Sequence, residues 1–168
     1  GNTGATESWN GSAWTEVGDL NLARYGLSGA GVSNTSGLAI GGSSPNTADT
    51  ESYNGSSWTE VADLNTSRGG TNAGDLNSAR SVGAGGIQTS ALAFGGTVGG
   101  SNSALTESWN GSAWSEDGDL NTARNSIQGS GSSNTSALAI GGTSPRTALT
   151  ESYNGSSWTE VADLNTAR

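Results

Sequence analysis

Apolar and polar positions alternate in short runs along this chain, and no segment of useful length repeats apolar residues at the i, i+3, i+4, i+7 spacing of a helix. In Ser36–Gly41, Leu38 and Ile40 point one way and Ala39 the other, the period-2 pattern of a strand. Gly41-Gly42 ends that run. Over residues 23–66 the pattern predicts four strands, at roughly 25–33, 36–41, 48–53 and 56–61. Asn54-Gly55, between the third and fourth, predicts a tight type I′ hairpin, because both central residues of that turn need φ > 0. The predicted fold class is all-β.

The pattern repeats along the chain. Glu7-Ser8-Trp9-Asn10-Gly11 recurs from Glu51, Glu107 and Glu151, at spacings of 44, 56 and 44 residues. The longer spacing contains a 12-residue insert, residues 67–78. A second period lies above the first: residues 1–68 align with 101–168 without a gap, with 50 identities. The chain therefore divides into a half unit at 1–22 holding third and fourth strands, complete units at 23–66, 79–122 and 123–166, and the insert at 67–78.

The four strands of a unit differ in character. The first strands, such as YGLSGAGVS and SVGAGGIQT, are rich in Gly and Ser, which weaken an ordinary strand. They suit an inner wall where backbones crowd around an axis. On the fourth strand Val17, Val61 and Val161 correspond to Asp117, which predicts a solvent-facing outer edge blunted by charge. A Gly-rich inner strand and a charged outer strand give the radial order of a propeller blade.

These features together resemble the kelch-type β-propeller. The family pattern places an Arg before the first strand, a Gly-Gly doublet after the second, an aromatic residue after a Glu on the third, and a Trp on the fourth. That pattern matches Arg24, Gly41-Gly42, Glu51 with Tyr53, and Trp58. It matches again at Arg80, Gly95-Gly96, Glu107 with Trp109, and Trp114, and at Arg124, Gly141-Gly142, Glu151 with Tyr153, and Trp158. The link from aromatic to Trp is shorter than in the family. Phrases such as DLNTAR, TSALAFGG and ESWNGSAW are similar to kelch-like arrays of marine bacteriophage tail-fibre and appendage proteins. The resemblance implies four-stranded antiparallel blades, three complete and one half. Propellers close with about four to eight blades, so it also implies that other copies of the chain, or the rest of a longer array, complete the ring, the alternative being a distorted four-blade ring in which the insert 67–78 helps fill the gap.

Composition narrows the chemistry. Leu, Ile, Val and Phe make up 23 of 168 residues, a level at which composition alone suggests disorder. The repeats and six Trp residues outweigh it. There is no Cys, His or Met, so disulfides, Cys or His metal sites, and nucleophilic chemistry needing Cys or a His base are excluded. The copper radical oxidases among kelch-like propellers need His and a Cys-linked Tyr, and this chain has neither. Fifteen acidic and six basic residues, all six Arg, give a net charge of −9, which repels nucleic-acid phosphate. No run of 18 apolar residues predicts a membrane-spanning helix, and no charged-then-apolar start predicts a signal peptide. An alternating Asp calcium loop is absent. Asn-Gly-Ser at residues 10, 54, 110 and 154 formally matches a glycosylation acceptor, but turn chemistry accounts for it.

The acids recur in register: Glu7, Glu51, Glu107 and Glu151, and Asp19, Asp63, Asp119 and Asp163. A residue repeated in every unit is expected to hold that unit rather than to act once at a centre. The Glu carboxylates are expected to accept bonds from Arg24, Arg80 and Arg124 or from backbone N–H groups. Trp14, Trp58, Trp114 and Trp158 are expected to pack between blades. No catalytic residue, metal or cofactor is predicted. Recognition is expected where the copies differ, at 25–32 and 43–49, with Tyr25, Asn46, Asn102, Arg146 and the insert on one face. The expected function is non-enzymatic adhesion to a cell-surface glycan or protein, outside the cell or on a virion. A structural spacer and a fragment of a polysaccharide-modifying enzyme are the alternatives.

Overall fold

A computed structural model describes residues 3–42, 47–63, 83–98, 100–143 and 145–167. Asn46, Arg80 and the insert 67–78 lie outside these residues. The described chain is all-β, without a helix. Sheet I pairs β1 (Glu7–Trp9) with β2 (Trp14–Glu16). Sheet II is an antiparallel meander of β3 (Ser28–Ser33), β4 (Ser36–Ile40), β5 (Thr50–Tyr53) and β6 (Trp58–Val61). Sheet III contains β7 (Gly83–Ile87) and β8 (Ser90–Phe94). A small hairpin, β9 (Thr97–Val98) with β10 (Ser101–Asn102), follows before β11 (Thr106–Trp109) and β12 (Trp114–Asp117). Sheet IV is β13 (Gln128–Ser133), β14 (Ser136–Ile140), β15 (Thr150–Tyr153) and β16 (Trp158–Glu160).

The period-2 pattern divides each second strand between two cores. Leu38 and Ile40 of β4 share a core with Ala91, Ala93, Trp109 and Trp114 of sheet III. Leu92 and Phe94, on the opposite face of β8, share the next core with Ala137, Ala139, Tyr153 and Trp158 of sheet IV. Sheets III and IV thus present their aromatic pairs to the sheet before them, and sheets II and III their large aliphatic or Phe side chains to the sheet after them. Phe94 meets Trp158 edge-on at 4.8 Å between centroids.

The inner strands crowd, with β7 packed against both β3 and β13. A Cβ at Gly129 would stand 2.0 Å from the Ala84 carbonyl oxygen, and one at Gly85 would stand 3.0 Å from the Ser130 backbone. Glycine is required there because two backbones fill the space a side chain would need. The crowding is uneven: a Cβ at Gly29, the counterpart of Gly129, meets nothing nearer than 3.7 Å.

Three local expectations need correction. The first strand of sheet II starts at Ser28, not at 25, because residues 24–27 carry a buried Arg and a turn. The Asn54-Gly55 turn is not type I′: Tyr53 pairs with Trp58, leaving a four-residue loop in which only Gly55 has positive φ, at 98°. The Asn54 Oδ1 accepts the N–H groups of Ser56 and Ser57, both at 3.0 Å, so the side chain makes the turn that the backbone was expected to make. Asp117 is half-buried rather than solvent-facing. The neighbouring Tyr153 phenol is pushed above its ordinary range, first by burial and then by the Asp117 carboxylate.

Candidate functional site

Two acid–arginine pairs each tie the third strand of a unit to the segment that enters it, and an Asn from the unit before joins each pair. The Arg24 Nη1 donates to Glu51 Oε1, and both residues are buried. Its Nε donates to the Gly41 carbonyl at 2.8 Å. Asn21 donates to the other Glu51 oxygen through its backbone N (2.7 Å) and its Nδ2 (2.8 Å). The grip on the carboxylate recurs 100 residues on, although among the described residues Arg124 Nε has no hydrogen-bond partner where Arg24 Nε bonds Gly41. Arg124 donates to Glu151 at 2.5 Å, and Asn121 donates through two nitrogens at 2.8 Å each. The Gly-Gly doublet belongs to this clamp, since a Cβ at Gly42 would meet the Arg24 Cδ at 3.1 Å. The DLN-x-AR phrase therefore reads physically. Its Asp caps the third strand of the sheet before it, accepting from Thr106 N at Asp119 Oδ1 (3.1 Å) and from Thr150 N at Asp163 Oδ1 (3.2 Å), as Asp63 does in the related DLNTSR. Its Asn and Arg grip the Glu of the sheet that follows, Asn21 with Arg24 on Glu51 and Asn121 with Arg124 on Glu151.

Among the repeat positions, Glu51, Glu107 and Glu151 are buried, as are Trp114 and Trp158, and Trp58 is half-buried. Sheet I departs from this pattern. Glu7 is exposed, and Trp14 is 63% exposed where Trp114 is 2% exposed.

The predicted recognition residues fall into two groups. Asn102 on β10 accepts from Asn125 Nδ2 at 2.8 Å, and Asn125 Oδ1 accepts from Thr143 Oγ1 at 2.5 Å. Tyr25, 61% exposed, and Arg146, also exposed, share no hydrogen bond or ion pair with that cluster among the described residues. Sequence reasoning did not single out the cavity beside the cluster. An opening of about 380 Å³ lies where the three inner strands begin, bounded by Ser28 and Gly29, Ala84, and Ser126, Gln128 and Gly129. Leu27 and Ile127 also border it, its exposed surface is mainly polar, and it carries no charged side chain among the described residues. Ser126 has φ 52°, the only positive-φ residue other than glycine among those described. Its counterpart Gly26 adopts φ 63° without strain. A Ser held there costs about 1 kcal/mol. A signal was available: Gly26 to Ser126 and Ser28 to Gln128 both fall in the 25–32 window where the copies differ.

Repeated four-stranded antiparallel sheets, stapled in series around crowded inner strands, define an all-β repeat protein. The solved structure of YjhT superposes on this chain with a TM-score of 0.65 at 18% identity, covering 95% of this chain. The chain spans about half of YjhT, 52% of its length, and the likeness is one of fold. No family model matches the sequence, and no curated protein matches it.

Proposed function

We propose that this chain is a kelch-like β-propeller module, or part of one, that acts as a non-enzymatic adhesion element of a phage fibre or other extracellular appendage. Its ligand in this reading is a neutral cell-surface glycan, bound at the end of the module where the inner strands begin. The observation that carries the reading is the polar, uncharged opening at Ser28, Ser126 and Gln128, with a strained Ser126 on its rim. Hydroxyl, amide and backbone groups, with no charged side chain among the described lining residues, suit the hydroxyls of a sugar. The roles of the acids support binding over catalysis, since Glu51, Glu151, Asp63 and Asp119 hold strands. Individual contacts of this kind are weak, and affinity comes from repeating the site along a fibre.

A glycan array probed with the purified chain tests the proposal. Selective binding to neutral glycans is expected, falling about tenfold in Gln128→Ala, roughly one lost polar contact. Tyr25→Ala, outside the opening, should reduce binding less. Absence of any selective signal would favour the spacer reading, and release of sugar from a bound polysaccharide would favour an enzyme.

A further inference from the structure

Among the described residues two apolar faces are left uncovered, and the chain itself contains an interface that would cover both. The string ESWNGSAW occurs at 7–14 and again at 107–114. In sheet III its two Trp residues are each 2% exposed, packed in one core with Leu38 and Ile40 and flanked by Val61 of sheet II. In sheet I the same two residues, Trp9 and Trp14, are 44% and 63% exposed. They are already set in the buried arrangement: the rings lie 5.4 Å apart at 44°, against 5.4 Å and 41° for Trp109 and Trp114. The other half of the interface also occurs twice. Leu38, Ile40 and Val61 of sheet II correspond to Leu138, Ile140 and Val161 of sheet IV. Leu38 is 3% exposed, whereas Leu138 is 37% and Val161 is 40% exposed.

We infer that a second copy of this chain docks head-to-tail, its Leu138–Ile140–Val161 face on the Trp9–Trp14 face of the first. The pairing repeats the contact between sheets II and III with the same side chains on both sides, so shape and chemistry are matched by a contact already made within the chain. Sheet I supplies only the outer two strands of that contact, without counterparts of Ala91 and Ala93, so the contact is smaller than its internal template. The two faces differ from each other, which makes the contact heterologous: it closes a ring of two if the rotation allows and extends otherwise. The inference does not depend on what the inner-strand opening binds.

Sedimentation of the whole chain over a range of concentrations up to about 1 mM, where even weak association registers, tests this. The wild type should self-associate. Trp14→Asp and Leu138→Asp should each be monomeric alone, and an equimolar mixture of the two should form a 1:1 heterodimer, because each variant retains the face the other has lost. Circular dichroism confirms folding, with Val161→Asp standing in for any variant that does not fold. A monomeric wild type would overturn the inference and leave these faces to another occupant. Self-association by either variant alone would overturn it in favour of like-to-like contact, and so would a mixture of folded variants that stays monomeric.

Discussion

Replacing Glu151 with Gln removes the charge of a carboxylate that is 2% exposed and leaves its shape in place. Arg124, also 2% exposed, then keeps a buried guanidinium without its counter-charge. Asn121 presents two donors to Oε2 at 2.8 Å each, and an amide at that site cannot satisfy them and Arg124 together. Breaking a buried pair from one side costs about 3–5 kcal/mol. The amide retains one acceptor, so the expected loss is at the lower end, about 3 kcal/mol. With a urea slope of about 1–3 kcal/mol/M, the unfolding midpoint should fall by about 1–3 M. Tryptophan fluorescence during urea unfolding reads this directly, and Glu51→Gln should behave alike because Asn21 and Arg24 hold Glu51 in the same way. Repeating the measurement in 1 M salt separates burial from surface pairing, since exposed pairs are screened within about 3 Å at that ionic strength. A loss below about 1 kcal/mol, or one that vanishes in salt, would mean a solvated pair and would refute the staple.

The inner strands and the alkaline limb supply two further tests. Gly129→Ala should destabilise by about 1–3 kcal/mol through overpacking, because its Cβ would stand 2.0 Å from the Ala84 oxygen. Gly29→Ala, whose Cβ meets nothing nearer than 3.7 Å, should lie within about 0.5 kcal/mol of wild type. Equal effects in a thermal melt would refute the uneven crowding. Tyr153 is raised in the fold above the unfolded phenol value of about 10. Its contribution is therefore complete below that pH and is lost as pH climbs from there toward the folded value. Tyr153→Phe should flatten this alkaline decline in stability, and Asp117→Asn should weaken it. An unchanged decline in both variants would remove Tyr153 from the account.

The sequence by itself determined the strand pattern and the repeat, and it marked the residues from which the staple is built. Period-2 alternation at Leu38-Ala39-Ile40 divides side chains between two faces whatever lies beyond them, so it is legible without coordinates. Recurrence of Glu51 and Arg24 in register signals a shared structural task, and their ion pair is that task. Contacts between non-adjacent segments are what only the tertiary structure decided. Nothing in ESWNGSAW distinguishes Trp14 from Trp114; one is exposed and the other buried because sheet II stands in front of sheet III, whereas among the described residues no sheet stands in front of sheet I. Asp117 reads as a solvent-facing charge until Tyr153 of the next sheet is seen beside it. The polar opening at Ser126 and Gln128 exists because three strands distant in the chain begin around one point. A local pattern records which way a side chain faces, while burial and site geometry depend on what the rest of the chain brings to that face.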